Sequence, residues 1–470
     1  MTRGIALPPG RSFALVFVVA FAVRACLLSL TPEELIRDPG SELGKIARSL
    51  ASNGDFANPY SVPTGPTAHL PPVYAGLVGL IYALFGVTPA ADYVRCFLVI
   101  ASFSAMYALI PWLAGRLGAE PAAGLLGGLA GALTPRWPME VSLGWEEPYA
   151  AITMGLVLVA FLGRWNASGV SGAGSFGVGV AIGAAFHLAP ALLPVVAGCL
   201  AFELWFRRGS RAWLPAGAMV LGMALACVPW AWRNYRTFHE VFFIRSNFGL
   251  ELRIANQDGA APTLEETWAR GILRHPYEDV AEGLKVRELG EPEYMRQARR
   301  EAVAWIRAHP GAFLRLTAWR IAHFWFGSPQ RPLAALWTSA VTLLAILGAR
   351  RLLPALTAPA RAALLIPLAT YPVVYYVVGS AYRYRVPVYW ILLILAGSAV
   401  LRRASSPRTI SSPSLRGPVS GGSGTPCSPG LSSAGSSILR TIARLFLERS
   451  TRRFRWSRSC RSGFRSFSRR

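Results

Sequence analysis

The sequence predicts an all-α integral membrane protein, and three observations indicate this fold class: a high apolar content, few charges and regularly recurring apolar segments. The chain has 470 residues, of which 53% are hydrophobic and 15% are charged. A soluble chain of this length usually has about a quarter of its residues charged and divides into two or three domains. We therefore expect a polytopic helical bundle rather than a soluble enzyme.

Apolar runs recur along most of the chain. They are Phe13–Leu30, Val73–Phe85, Phe97–Ala114, Ala122–Leu133, Tyr149–Leu162, Val178–Phe206, Trp213–Trp230, Ala312–Phe326, Leu333–Leu347, Ala362–Val378 and Val386–Leu401. Since a helix needs about 20 residues to cross the hydrocarbon core, we expect roughly 10–12 transmembrane helices. Parity predicts that at least one short run is re-entrant or interfacial.

The first apolar run predicts a retained anchor whose N-terminus lies in the cytoplasm. It is longer than the core of about 7–15 residues in a cleaved signal peptide. The positive-inside rule then places two arginine groups in cytoplasmic loops. These groups are Arg207, Arg208 and Arg211, and Arg350 and Arg351. The polar stretches 31–70 and 231–310 fall on the outer side.

The C-terminal tail, residues 401–470, differs in composition from the rest of the chain. It contains fifteen arginines against the single acid Glu448, and so carries +14 of the net charge of +24. Serine, glycine and proline make up much of the remainder, a composition that cannot bury a core. We expect a tail that is disordered or lies on anionic lipid. Without regularly interleaved aromatic residues it does not predict a nucleic-acid partner.

The segment after the first anchor predicts a short amphipathic helix on the outer surface. Asp38 followed by Pro39 is a favourable helix start. One apolar face follows at helical spacing, formed by Leu43, Ile46, Ala47 and Leu50. Gly54 supplies the stop. Asp38 would lie at the start of this helix, with Glu42 one turn further on.

The next segment, DFANPYSVPTGPTAHLPPVYAGLVGLIYALFG, predicts a structured loop that enters the membrane at Pro71 and Pro72. Irregular backbone at membrane depth is tolerated only where it lines a cavity or is buried in protein. His69 and Tyr74 therefore become candidate cavity residues. A lone histidine in a loop is more often an ordinary hydrogen-bonding residue than a metal ligand.

Several stretches together resemble the GT-C fold glycosyltransferases, in particular the bacterial relatives of protein O-mannosyltransferases and of the aminoarabinose transferase that modifies lipid A. The similar stretches are ELGKIARSLASNGDFANP, TGPTAHLPPVYAGLVGLIYALFG, WEEPYAAI, PWAWRNYRTFHEVFFIRSNFGLELRIANQ, GEPEYMRQARREAVAWIRAHPGAFLRL and AYRYRVPVYW. Taken together, the resemblance extends over about residues 13 to 400. The resemblance implies a transmembrane GT-C domain at 1–400, with a catalytic acid in the first outer loop and a helical cap formed by the long outer loop.

The resemblance also implies an inverting transfer of a sugar from a polyprenyl-phosphate donor to a lipid, glycan or protein acceptor, at the outer face of a bacterial cytoplasmic membrane. A carboxylate in a partly desolvated cavity has the raised proton affinity of a general base. Asp38 and Glu42 are the candidates, and we favour Asp38 because the helix start fixes its backbone. Glu42 would hold the acceptor or act as the base itself.

The departing phosphate needs cations, and the planar guanidinium of arginine suits it. The candidates are Arg233 in WRNY and Arg383 and Arg385 in YRYR; the alternative is that all three are interfacial anchors beside aromatic residues. Glu146 and Glu147, in a largely apolar region, would bind a sugar hydroxyl or a divalent cation, or else are solvated acids. The six single cysteines predict neither a metal centre nor a disulfide framework. No other cofactor is expected.

Two other classes of protein fit the apolar composition. A polytopic transporter or lipid flippase often shows internal repeats with charged residues at matching positions of its two halves. No such repeat is visible here, and the acids cluster near the start of the chain. A structural membrane protein without chemistry would leave the pairing of early acids with late arginines unexplained.

Overall fold

The computed structural model of this chain describes residues 7–38, 40–167, 169–208 and 211–401. Two predictions made from the sequence fall outside them. The first is the helix start at Pro39, and the second is the basic tail from residue 402 onward. All structural statements below concern the described residues.

These residues form helices and contain no β-strand; two isolated bridges join Ala57 to Pro66 and Thr263 to Ser380. The helices are α1 (Pro9–Ser29), α2 (Glu33–Ile36), α3 (Glu42–Asn53), α4 (Pro72–Phe85), α5 (Pro89–Ala108), α6 (Ile110–Arg116), α7 (Pro121–Leu133), α8 (Glu147–Asn166), α9 (Gly172–Phe186), α10 (Leu193–Phe206), α11 (Trp213–Phe238), α12 (Phe248–Ala255), α13 (Leu264–Ala269), α14 (Val280–Leu289), α15 (Glu291–Ala308), α16 (Pro310–Phe326), α17 (Pro332–Leu352), α18 (Ala358–Thr370), α19 (Val373–Val377) and α20 (Val386–Val400). A π-helical turn lies at Met139–Leu143, and 3₁₀ turns lie at Pro190–Leu192, Leu353–Ala355 and Tyr382–Arg385.

Six helical segments in the described ranges are long and apolar enough to cross a membrane. They are Pro9–Ser29, Pro89–Arg116, Glu147–Asn166, Trp213–Phe238, Pro332–Ala355 and Ala358–Val377. Four further apolar helical segments are shorter, namely Pro72–Phe85, Pro121–Leu133, Gly172–Phe186 and Pro190–Phe206. At 1.5 Å per residue, the 14 residues of α4 span only about 21 Å, less than the hydrocarbon core of about 30 Å.

Helix breaks explain much of the difference between the apolar runs and the long helices. The run Val178–Phe206 is continuous in composition, yet the chain leaves the helix after Phe186 and turns at Pro190. The proline lacks the N–H that an uninterrupted helix requires. One predicted segment is therefore two helices, α9 and α10.

Helix α20 forms the centre of the bundle. Nearly all of its residues are buried, and it packs against α7, α8 and α17. Its sequence, VPVYWILLILAGSAV, is apolar on all sides, as expected for a helix surrounded by others. Close approach to α17 depends on Gly348, where an added Cβ would lie 1.7 Å from the carbonyl oxygen of Leu395.

Charged groups inside the bundle occur in bonded clusters. Arg24 of α1 and Glu140 of the π-helical turn form a fully buried ion pair. Glu140 also accepts from Arg136 Nε at 2.7 Å and from the Tyr107 hydroxyl at 2.9 Å. An unpaired charge at such a place would be costly, so the cluster fixes α1 against α5 and the π-helical turn.

The helix after the first anchor starts later than the sequence predicted. Helix α3 begins at Glu42, and its N-cap is Ser41, whose Oγ accepts the N–H of Gly44 at 3.1 Å. Asp38 is not the cap; its Oδ1 accepts both the N–H and the hydroxyl of Ser41, so the carboxylate closes the turn that precedes the helix. The predicted end is confirmed, since Gly54 adopts a left-handed φ of 74°.

The predicted apolar face of α3 packs on α4, and Leu43, Ile46 and Ala47 are buried there. Helices α12 to α15 form a cap over the same end of the bundle. The buried face of α15 includes Tyr294, Met295, Ala298 and Ala302. The first loop and the long loop thus meet at one end of the bundle, where α8 and α20 begin.

Candidate active site

A cavity of about 550 Å³ lies where the first loop, the cap and the start of α8 meet. This volume is within the range of small-molecule sites, about 300–1,000 Å³. The polar and aromatic residues that line it are Asp38, Ser41, Glu42, Lys45, Tyr82, Arg95, Trp145, Glu265, Tyr277, Glu278, Tyr382 and Arg383. The cavity combines carboxylates, cations and aromatic rings, a set that can bind a hydroxylated and a phosphorylated group together.

Asp38 lies against the backbone of α3 in this cavity, and its side chain is only 6% exposed. Its Oδ2 accepts from Arg48 at 2.8 Å, and its Oδ1 is held by Ser41. The close approach depends on Gly44, since a Cβ there would lie 1.5 Å from Asp38 Oδ2. These contacts fix both oxygens of the carboxylate at the cavity wall.

Glu42 is held by two histidines. Its Oε1 lies 2.7 Å from His69 Nε2 and 3.3 Å from His275 Nε2. Burial alone would raise the pKa of Glu42, but His69 and His275, with Arg245 nearby, bring it well below its ordinary value. Glu42 is therefore an anion, and a weaker proton acceptor than its burial suggests.

The two histidines have different electrostatic environments. Burial would lower the pKa of His69, but Glu42 raises it above the ordinary value. For His275 burial prevails, and its pKa is lowered in spite of Glu42. We interpret the cluster as a His69–Glu42 ion pair joined by a neutral His275.

The side chains of Glu42, His69 and His275 could together hold one divalent cation, because their ligand atoms lie within 4.8 Å of one another. His69 suits this role, since its Nδ1 contacts the Tyr60 hydroxyl at 3.1 Å and leaves Nε2 for an ion. His275 suits it less. Its Nδ1 accepts the N–H of Tyr277, so the neutral ring carries its proton on Nε2 and donates toward Glu42.

The loop that carries His69 is attached to the cap through Glu291, the first residue of α15. Glu291 Oε1 accepts the N–H of Ala68 at 2.9 Å and the hydroxyl of Ser246 at 2.6 Å, and Oε2 accepts from the Thr67 hydroxyl. Arg245 also donates to the carbonyl oxygen of His69 at 3.0 Å. The paired-proline loop is thus positioned by residues from much later in the chain.

Arg383 is the arginine of the predicted set that lines this cavity. Its guanidinium lies 4.6 Å from the centre of the Trp145 ring, and its Nη1 lies 3.3 Å from Glu147 Oε1. The other oxygen of Glu147 accepts the N–H of Trp145 at 2.8 Å. Glu147 therefore orients Arg383 and Trp145, and it does not itself line the cavity.

The remaining predicted residues lie outside the cavity lining. Arg233 donates to the carbonyl oxygens of Thr67 and Phe56, and so fixes the first loop. Tyr74 is buried and donates to the carbonyl oxygen of Gly144 at 3.2 Å. Glu146 directly precedes α8. Arg385 lines a different, smaller cavity.

Sequence reasoning missed several lining residues. Helical spacing places Lys45 on the side of α3 away from its apolar face, yet its Nζ donates to the carbonyl oxygen of Tyr277 at 3.0 Å, and burial lowers its pKa. Arg95, in the first turns of an apolar helix, was a detectable signal because intramembrane charges are functional candidates by default. Tyr277, which lines the cavity, and His275, which contacts Glu42, belong to a polar loop without a motif, and only the tertiary contacts identify them.

This chain matches no protein-family model and no curated protein sequence. The functional interpretation therefore rests on the geometry of the cavity and on the residues around it.

Proposed function

We propose that this chain is a membrane glycosyltransferase of the GT-C class, which transfers a sugar from a polyprenyl-phosphate donor to a lipid, glycan or protein acceptor with inversion at the anomeric carbon. One observation carries the proposal. Asp38, from the loop between α2 and α3, and Arg383, from just before the last helix, line the same cavity. A base and a phosphate-binding cation are the two groups that such a transfer requires.

In this mechanism, Asp38 accepts the proton of the acceptor hydroxyl while the acceptor oxygen forms a bond to the anomeric carbon. The bond between that carbon and the phosphate oxygen breaks, and its electron pair leaves with the polyprenyl phosphate. Arg383 stabilises the charge that develops on the departing phosphate. Trp145 and Tyr382 provide ring faces for the sugar.

We favour Asp38 over Glu42 as the base because Asp38 is paired with a single cation of the described residues, Arg48, whereas two histidines flank Glu42. The paired histidines keep Glu42 ionised and reduce its affinity for a proton. Its fixed negative charge suits it to orient the acceptor or to bind a sugar hydroxyl. The base therefore lies in the turn before α3, and the orienting acid is the first residue of that helix.

The exposed surface of the long helices supports a membrane location. On α11 the exposed side includes Val220, Leu221, Leu225 and Val228, each about half exposed. An apolar surface of this extent is unfavourable in water and suits lipid. Arg207 donates to the carbonyl oxygen of Arg164, at the end of α8 opposite Glu147. By the positive-inside rule this end faces the cytoplasm and the cavity faces outward, as in a bacterial cytoplasmic membrane.

The test is sugar transfer by the purified full-length protein in nanodiscs. A panel of radiolabelled polyprenyl-phosphoryl monosaccharides would be supplied with a cell-envelope extract as acceptor, and released polyprenyl phosphate would be measured. We expect Asp38→Asn combined with Glu42→Gln to reduce turnover at least about 100-fold. The melting temperature reports whether the variant is folded.

The matched control replaces two exposed acids of α2, as Glu33→Gln with Glu34→Gln, and should transfer at the normal rate. Unchanged turnover in the Asp38, Glu42 variant would exclude the mechanism. Movement of lipid or solute across proteoliposomes in the absence of any sugar donor would instead favour a transporter or flippase.

A further inference from the structure

A second cavity, of about 60 Å³, lies beside the candidate active site, between the start of α17 and the 3₁₀ turn Tyr382–Arg385. We call it the α17 pocket. Its polar lining includes Thr263, Glu265, Ser328, Arg331, Ser380 and Arg385. Glu265 and Tyr382 line both cavities and so form part of the wall between them.

Arg385 is the buried cation of the α17 pocket. It is only 6% exposed, and its Nη1 donates to the carbonyl oxygen of Phe324 at 2.6 Å. Its Nε has no hydrogen-bond partner, and no carboxylate of the described residues forms an ion pair with it. The neighbouring charge is another cation, Arg136. A buried guanidinium without an anion is costly, which indicates that an anion belongs beside it.

A second cation and a helix terminus face the same space. Arg331 is the N-cap residue of α17, and its guanidinium lies 4.4 Å from the centre of the Tyr382 ring, which holds it at the pocket. The first turn of a long helix presents N–H groups without intrahelical partners and a positive dipole end. Such a terminus is a favourable place for an anion, above all with two arginines beside it.

The acids near the pocket offset only part of the charge of these cations. Glu265 accepts the N–H of Tyr382 at 3.3 Å, and burial raises its pKa. Glu266 accepts the hydroxyl of Ser328 at 2.7 Å, with His323 Nδ1 4.0 Å away. In the described part of the chain neither acid forms an ion pair with Arg331 or Arg385, so the pocket retains a positive excess.

We infer that the α17 pocket binds a phosphate group. Its volume is about that of two water molecules in the liquid, enough for one small anion but not for a sugar ring. The inference deepens the proposed function and rests on it for the biological source of the phosphate: the non-bridging oxygens of the lipid carrier's phosphate occupy the α17 pocket, and its oxygen that bridges to the sugar faces Arg383. The sugar extends past Tyr382 into the larger cavity. Recognition of the phosphate itself does not depend on sugar transfer.

The experiment measures binding of undecaprenyl phosphate to the full-length protein in phosphatidylcholine nanodiscs by microscale thermophoresis. Arg331→Gln is the main variant because Arg331 is exposed and its replacement leaves the core intact. We expect it to weaken binding about tenfold, the value of one charge-assisted hydrogen bond. Arg331→Lys should retain part of the affinity, and Arg361→Gln, an exposed arginine on α18, should retain all of it.

Two competitors distinguish the source of the phosphate. Displacement by millimolar inorganic phosphate means that the free anion suffices, whereas displacement only by a lipid phosphate means that the headgroup of a lipid is the ligand. Equal binding of undecaprenol, which lacks the phosphate, or normal affinity in Arg331→Gln would overturn the inference.

The two proposals fail separately. Loss of affinity in Arg331→Gln together with absent sugar transfer would support the phosphate pocket and contradict the proposed glycosyltransferase activity. Sugar transfer together with an unchanged phosphate affinity in Arg331→Gln would support the glycosyltransferase activity and contradict the phosphate pocket.

Discussion

At the residue scale, the position of Asp38 depends on Gly44, which has no side chain. The carboxylate lies against the backbone of α3 at Gly44, and any side chain at that position would occupy the space of Oδ2. The acid and the glycine therefore act as one unit. Residues near a reacting group influence rate through position, and a displacement of about 1 Å can cost about 100-fold.

We predict that Gly44→Ala reduces sugar transfer about 100-fold, because the new methyl group displaces Asp38 from the cavity wall. The fold should persist, since alanine is a better helix former than glycine. Transfer assays with melting temperatures check this. Gly76→Ala on α4, where an added Cβ meets no atom within 4 Å, is the control. Turnover within twofold of the unchanged protein would contradict the role of Gly44.

A second prediction at this scale concerns the ion pair of His69 with Glu42. Because the pKa of His69 is raised above 6.5, the stabilisation from the pair is fully present below that pH. It is lost as the pH rises through the raised pKa. We expect His69→Gln to destabilise the protein by about 3 kcal/mol near pH 6 and progressively less toward alkaline pH.

Melting temperatures of both proteins from about pH 6 to pH 9 measure this effect. His309→Gln replaces an exposed histidine that ends α15. The difference in melting temperature between this variant and the unchanged protein should not decrease toward alkaline pH. A difference between unchanged protein and His69→Gln that stays constant across the range would mean that the pair is not ionic.

At the element scale, local sequence predicted some helix features and could not predict others. The apolar face and the glycine stop of α3 follow from spacing and are present. Its start was misplaced because Asp38 and Ser41 both qualify as caps, and only the folded turn decides between them. Arg383 and Arg385 were treated as a pair, but they belong to a 3₁₀ turn with about three residues per turn, so their side chains diverge into separate cavities.

The cap residue of α3 gives an element-scale prediction. Ser41 both caps the helix and holds Asp38, so Ser41→Ala should cost about 1 kcal/mol of stability and also reduce transfer. The comparison is Ser171→Ala, which removes the cap of α9, where Ser171 accepts the N–H of Gly174 at 3.0 Å. That variant should lose similar stability and keep its activity. Equal activity in both variants would show that Ser41 does not influence the active site.

At the scale of the whole molecule, residues from the early part, the middle and the late part of the described region meet at one cavity. The sequence predicted this meeting of the first loop, the long loop and the start of α20 only through resemblance. Composition could not identify His275 or Tyr277, since their importance arises from packing across the cap. The apolar runs likewise predicted helices but not their breaks, which depend on single residues such as Pro190.

The orientation of the bundle yields the last prediction. If the cavity faces outward, the cap is accessible from outside the cell, and the far end of α17 is not. Single cysteines at the exposed positions Glu288 on α14 and Arg350 on α17, as Glu288→Cys and Arg350→Cys, would be made in a chain whose six cysteines are replaced by alanine. A membrane-impermeant maleimide applied to spheroplasts should label the first variant and not the second. After permeabilisation both should react, which shows that both sites are accessible to the reagent. Labelling of Arg350→Cys alone in intact spheroplasts would place the cavity on the cytoplasmic side, where a polyprenyl-phosphate sugar for outer-face transfer would not be met.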